Sequence, residues 1–216
     1  MDQNNEKNSL TTFQQEILLG LLLGDSCLHF RNKNKKSVRL EFKVGKQNYS
    51  YLLHLIDLYK ELFNVDTKIG ETKNSFYIKT KTMKMLYPFY LLFYVNSKKT
   101  ITEELLSSKF FTDKTLAYWF MDDGHCENKA GRYKISTQCF SLESQTRLQT
   151  FLKKQFQINT SLYKKDQSHI LVIKRESTNK FRLLIEPYVI DSMKYKLGTF
   201  KRDTNGFLIK QNNTNA

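Results

Sequence analysis

The stretch Asp113-Lys-Thr-Leu-Ala-Tyr-Trp-Phe-Met-Asp-Asp-Gly124 decides the reading of this chain. Thr112 or Asp113 is placed to cap a helix N-terminus, an apolar run follows, and the run ends on two carboxylates, Asp122 and Asp123, before Gly124. A helix C-terminus carries partial negative charge, so an acid there is misplaced by a few tenths to about 1 kcal/mol. A metal or a basic partner would offset that cost. Taken by itself, the stretch fits an ordinary core helix with a solvated end at least as well.

It does not stand by itself. Near the N-terminus the chain reads Leu18-Leu-Gly-Leu-Leu-Leu-Gly-Asp-Ser26, again an apolar helix finishing on an acid. Aligning the two stretches pairs Asp25 with Asp123, 98 positions apart. Gly20 and Gly24 share one face of the first helix. Each costs roughly 1 kcal/mol against alanine in a helix interior, which close backbone approach to another helix would offset. If the two helices lie parallel, both acids arrive at the same end. The rest of the chain keeps the offset. The two prolines, Pro88 and Pro187, follow the acids by 63 and 64 positions, and Lys99 and Lys196 follow them by 74 and 73. Two tandem, diverged copies of one unit are expected, related by a pseudo-two-fold with the acids at its axis.

The net charge of +14 over 216 residues implies a polyanionic partner, nucleic acid before anionic membrane. The apolar runs at 17–23 and 86–95 are too short to span a bilayer. Residues 1–11 have neither an apolar signal core nor the arginine-rich pattern of a transit peptide, so export is not expected. Three cysteines, Cys27, Cys126 and Cys139, fit a reducing compartment better than a disulfide framework. His125-Cys126 with Cys139 offers too few ligands, at poor spacing, for zinc.

The predicted order is a tail at 1–11, a first half at 12–100, a connecting segment at 101–112, a second half at 113–199 and a polar tail at 200–216. Residues 12–25 are a helix, 31–36 a basic hairpin tip, and 37–44 a strand that alternates Val38, Leu40, Phe42 and Val44 with Arg39, Glu41 and Lys43. A helix at 48–63, strands at 65–69 and 75–80, and a helix at 83–95 complete the first half. Residues 96–100 read as a polar linker and 100–103 as a capping box. The second half repeats this with strands at 132–139, 158–164 and 169–174 and helices at 141–156 and 177–189. The fold class is therefore α+β, with two αββαββα halves and antiparallel sheets. Their polar faces would carry Arg39, Lys43, Lys79, Arg132, Lys134, Gln138, Lys164 and Lys174. A two-stranded ribbon fits the DNA major groove, and these are side-chain types that read bases or phosphates there.

The paired stretches Leu18–Ser26 and Leu116–Gly124 resemble the double signature of the single-chain LAGLIDADG homing endonucleases, and the resemblance covers residues 13 to 199. Asn96-Ser-Lys-Lys-Thr-Ile101 and Met193-Lys-Tyr-Lys-Leu197 are similar to that family's basic positions after the last helix of each half. Tyr118 departs from the family's usual glycine, Asp122 from a small residue and Ser26 from the last glycine. The resemblance implies two motif helices packed at the centre of a DNA-binding saddle. It implies a monomer that cuts both strands of a long, pseudo-symmetric DNA site, leaving 3′ overhangs at an intron insertion site. Asp25 and Asp123 would hold magnesium, for which manganese can substitute, with the backbone carbonyls of Gly24 and Asp122. Lys99 and Lys196 would stabilise the transition state; Lys98 and Lys194 are alternatives that touch phosphate only. Gln47 and Gln138 are candidates for places just behind the metal, and Gln47 joins the DNA-contacting set. An organelle-encoded product is expected. A splicing cofactor bound to intron RNA is the competing class.

Overall fold

The computed structural model describes residues 9–32, 36–127 and 131–198, together with the backbone of 200–202 and 208–210. The first half runs α1 (Thr12–Leu23), β1 (Cys27–Phe30), β2 (Val38–Gly45), α2 (Tyr49–Leu58), β3 (Gly70–Glu71), β4 (Ser75–Lys79) and α3 (Tyr87–Phe93). A short hairpin, β5 (Tyr94–Val95) and β6 (Lys98–Lys99), and α4 (Glu103–Leu106) connect it to the second half. That half runs α5 (Asp113–Asp123), β7 (Gly124–Glu127), β8 (Arg132–Ile135), α6 (Leu142–Phe156), β9 (Thr160–Lys165), β10 (Ser168–Ile173) and α7 (Thr178–Ile185). Both sheets are antiparallel and share one strand order, β1-β2-β4-β3 and β7-β8-β10-β9. The tandem αββαββα expectation holds strand for strand.

The two motif helices are buried from Glu16 to Leu23 and from Thr115 to Met121 and form the joint between the halves. Thr11 caps α1, accepting from the Gln14 N–H while the Gln14 side chain accepts the Thr11 N–H, and Thr112 precedes α5. Lys114 pairs with Glu16 at 3.1 Å, and the Thr115 hydroxyl donates to the Glu16 carbonyl at 2.8 Å. At the other end the Asp25 N–H donates to an Asp122 carboxylate oxygen at 3.3 Å. The helices are therefore parallel, in the register that the repeat implies.

Gly20 and Gly24 make this approach possible. A Cβ on Gly20 would sit 2.4 Å from the Thr115 carbonyl oxygen, and one on Gly24 would sit 2.5 Å from the Asp122 Cβ. The family's glycine is missing from α5, but the contact does not need it there. Tyr118 and Asp122 lie on the faces that Gly20 and Gly24 leave open. The Tyr118 ring turns onto α2, where its hydroxyl meets Nε2 of His54 at 2.7 Å.

Several local expectations are corrected. The helix expected at 48–63 ends at Leu58 and passes into a 3-10 turn, Lys60–Leu62. The one expected at 83–95 is helical in α3 only over Tyr87–Phe93, after a 3-10 turn. The strand expected at 65–69 is confined to Gly70–Glu71. The expected capping box at 100–103 is replaced by Thr102, whose side chain accepts from the Leu105 N–H. The supposed linker at 96–100 is a hairpin turning on Asn96 and Ser97, both at positive φ (50° and 62°). Two successive positive-φ residues are the signature of the tight hairpin turn that matches strand twist. Within the two tails, Leu10 is buried, and Phe200–Arg202 pairs with Leu208–Lys210. Residues 1–8 of the expected N-terminal tail, and 33–35 of the expected hairpin tip, lie outside the described residues.

Candidate active site

The site is built at the C-terminal ends of α1 and α5, where parallel packing brings three carboxyls together. Burial raises the Asp25 carboxyl, and Lys196, Lys99 and Lys43 hold it down. Burial and then the Asp25 charge push Asp123 up to about 7, with Lys99 and Lys196 opposing. Burial pushes Asp122 well above the carboxylate range, and its neighbours Asp25 and Asp123 add to the effect. Each acid therefore feels the others and both lysines. Two hydroxyl or N–H groups aimed at these acids, Tyr51 Oη and Trp119 Nε1, are buried without a well-formed hydrogen bond. Tyr51 stabilises the Asp122 charge and Trp119 that of Asp123.

The two lysines predicted at equivalent places converge here. The β5–β6 turn delivers Lys99, whose ammonium donates to the carbonyls of Gly24 (2.8 Å) and Ser26 (2.7 Å). Lys196 comes from a 3-10 segment, Asp191–Leu197, and donates to the carbonyls of Met121 and Asp122, the latter at 2.7 Å. Lys196 thus binds C-terminal carbonyls of α5, and Lys99 binds the carbonyl of Gly24, which caps α1, and that of Ser26 just beyond it; both offset the unfavourable end charge noted from sequence. The Gly24 and Asp122 carbonyls expected to face a metal each accept an ammonium. A carbonyl oxygen has a second lone pair to offer. Burial lowers both lysine pKa values. Lys98 and Lys194 are exposed, and Lys194 pairs with Asp191 at 2.6 Å.

The DNA-facing candidates divide. Arg39 and Lys43 on β2 and Lys79 on β4 share the sheet face turned away from the helices, through the pairings Glu41↔Lys79 and Lys43↔Tyr77. Lys79 also pairs with Glu41 at 3.0 Å. Arg132 and Lys134 on β8 occupy the matching face of the second sheet, each 3.1 Å from Glu127. Lys174 lies one residue beyond β10, beside Arg132. Lys164 is corrected. The register Val172↔Ser161 and Val172↔Lys134 places Ser161, Tyr163 and Lys165 on the outer face and Lys164 with Leu162 on the helix side. Counting alternation from one residue away inverts every side chain in a strand. Gln138 falls in a turn past the end of β8, and Gln47 in a 3-10 turn with its amide against Gly45. Asp122, expected at the metal through its carbonyl, also brings its side chain into the cluster, and Tyr51 and Trp119 join the site without having been expected there. Asp122 carried a signal, a second acid beside the first, whereas Tyr51 comes from α2 and carried none.

The LAGLIDADG DNA endonuclease family matches residues 15–181. A probable intron-encoded endonuclease of Wickerhamomyces canadensis is 29% identical over 91% of this chain and 88% of its own. The cytochrome b mRNA maturase bI2 of Debaryomyces hansenii is 29% identical over 86% of this chain and 73% of its own. Among solved structures, the homing endonuclease I-WcaI bound to its DNA recognition sequence superposes with a TM-score of 0.79. That match is 27% identical and covers 91% of this chain and 94% of that one. With two motif helices, two equivalent sheets and a family match over most of its length, the chain belongs to the LAGLIDADG DNA endonuclease family.

Proposed function

We propose that this protein is a monomeric, site-specific homing endonuclease that cuts both strands of a long DNA target at an intron insertion site, leaving 3′ overhangs. The observation that carries this reading is the meeting of Asp25 and Asp123 at the parallel helix ends, where the Asp25 charge raises Asp123 and both lysines act on each acid. Carboxylates so crowded that the charge on one raises the pKa of its neighbours are an all-oxygen donor set suited to a hard divalent cation. Magnesium is the ion we assign, with manganese as a substitute; Asp25 and Asp123 would hold it, with the Gly24 and Asp122 carbonyls within the same cluster. It would supply water activation and charge stabilisation on the scissile phosphate.

The chain's own residues do the rest. Lys99 and Lys196 fix the helix ends that carry the acids and supply two partly buried positive charges for a phosphate arriving there. Trp119 and Tyr51 line the inner side of the acid cluster and keep water from it. The outer sheet faces, with Arg39, Lys43, Lys79, Arg132, Lys134, Lys165 and Lys174, run along the duplex. We also infer an organelle-encoded product, in keeping with relatives named as a probable intron-encoded endonuclease and a cytochrome b mRNA maturase.

The test is cleavage of a plasmid carrying the intron-less host gene, with magnesium and with chelator. Linearisation only with magnesium and only at that site supports the reading; no cut in any candidate host gene sinks it. Similarity to a maturase favours a second reading, in which intron RNA is also bound. A self-splicing assay with added protein measures that activity separately.

A further inference from the structure

We propose that Cys27, His29 and Glu41 form a second metal site, for a single ion of the zinc class, on the outer face of the first sheet. Cys27 and His29 alternate on β1 and share a face, and Cys27 lies directly opposite Glu41 on β2. Their ligand atoms all fall within 4.8 Å of one another. Cys27 Sγ is 2.9 Å from His29 Nε2, and the same nitrogen is 3.6 Å from a Glu41 carboxylate oxygen. His29 is thus the shared centre of the cluster, and its side chain, 45% exposed, leaves an entry path.

The donor set decides the ion. Sulfur, imidazole nitrogen and one carboxylate oxygen match zinc, whereas magnesium takes oxygen alone. Zn–S near 2.3 Å and Zn–N near 2.0–2.1 Å, in a tetrahedral shell, set sulfur and nitrogen about 3.5 Å apart. The thiol–imidazole contact needs to open by only about half an ångström to admit an ion of that geometry. The imidazole–carboxylate spacing already fits. Three protein ligands leave a fourth position open to water. Lys79, now 3.0 Å from Glu41, gives up that contact; its ammonium already lies 5.1 Å from the centroid of the Tyr77 ring, an alternative seat.

The second half serves as an internal control. His125 and Glu127 stand on β7 where Cys27 and His29 stand on β1, and Lys134, opposite His125, takes the place of Glu41. There a lysine ammonium occupies the carboxylate's place and pairs with Glu127 at 3.1 Å. The same face of the same fold thus carries sulfur, nitrogen and oxygen ligands in one half and a salt bridge in the other. The trio shares no residue with the Asp25, Asp122 and Asp123 cluster, so its test is independent of cleavage.

The experiment is a cobalt(II) titration of the full chain, kept reduced, with millimolar magnesium present throughout to fill the carboxylate cluster. One equivalent of cobalt should bring up a thiolate-to-cobalt band in the near ultraviolet and tetrahedral bands in the visible, all bleached by zinc. Cys27→Ser should remove the near-ultraviolet band. Glu41→Gln should retain it but weaken binding by roughly tenfold or more, the size of effect seen even for groups that only support a ligand. The Cys126→Ser/Cys139→Ser double variant should leave the titration unchanged. Circular dichroism confirms that each variant is folded. If Cys27→Ser fails that check, the exposed-side variant His29→Ala carries the same loss of affinity. No thiolate band with excess cobalt, a band surviving in folded Cys27→Ser, undiminished affinity in Glu41→Gln or His29→Ala, or a band lost in the double variant overturns the proposal.

Discussion

At the scale of the residue, Asp123 bears the most chemical consequence. Its carboxyl stands at about 7, raised from 3.8 by burial and by Asp25. In the metal-free protein the folded state therefore holds this proton more tightly than the unfolded chain does. The sign follows: stability falls as pH rises from about 4 to about 7 and then levels off. Divalent binding must displace the same proton, so metal-dependent cleavage should fall up to about tenfold per pH unit below 7. A rate that stays flat from pH 7 to 5 at subsaturating magnesium contradicts this. Asp123→Asn removes the buried charge. It should abolish cleavage, leave DNA affinity nearly unchanged and raise the metal-free protein's stability at pH 8 by about 1 kcal/mol, the shift being discounted for partial solvent access. Calorimetry and a binding titration measure both, and a folded variant that cuts at wild-type rate removes Asp123 from the chemistry.

The two lysines belong to the same scale. Each holds its own half's helix end, so Lys99→Met and Lys196→Met should each slow one strand more than the other. A lost contact of about 3 kcal/mol corresponds to roughly a hundredfold slower step. Nicked circles with opposite strands cut are expected from the two variants on end-labelled supercoiled plasmid. Equal slowing of both strands in both variants shows a common step instead.

At the scale of the element, the α1–α5 contact sets everything the acids do. Gly20 faces backbone rather than a flexible side chain, because its added Cβ would press on the Thr115 carbonyl at 2.4 Å. Alanine is the better helix former by about 1 kcal/mol, yet Gly20→Ala should destabilise by about 1–3 kcal/mol, because packed helices must separate. Chemical denaturation of Gly20→Ala against the exposed-site variant Leu53→Ala reads this directly. A stabilised Gly20→Ala would mean that the helices do not meet as closely as described. Tyr118 shows how the contact tolerates a large residue: the glycine on one helix makes room, and the hydroxyl finds His54 on a third.

At the scale of the molecule, the chain carries a net charge of +14, and Arg39, Lys43, Lys79, Arg132, Lys134, Lys165 and Lys174 place part of it on or beside the outer faces of the two sheets. Each phosphate neutralised contributes roughly −0.9 to the slope of log affinity against log salt. A saddle that follows a long duplex should give a slope steeper than about −4, equivalent to several phosphates. A slope shallower than about −2 in a fluorescence-anisotropy titration would leave the sheets without a role in binding.

The sequence by itself determined what local chemistry and repetition can carry. Two apolar helices ending on acids, with prolines and lysines at matching distances, specified the tandem fold, the parallel helix pair and the four residues at its end. Repetition is legible because each copy solves the same burial problem with the same pattern. Only the tertiary structure decided where the lysine ammoniums go, since a backbone carbonyl has the same identity at every position and becomes a partner only by proximity. The same holds for Asp122, an acid whose carboxyl is raised by burial and by its neighbours only where two helices pack. Strand parity at Lys164 also waited on the register, because β10 is apolar on both faces and alternation there says nothing about which side is out. The Cys27, His29 and Glu41 trio assembles through one cross-strand pairing, a contact that residue spacing along the chain does not reveal.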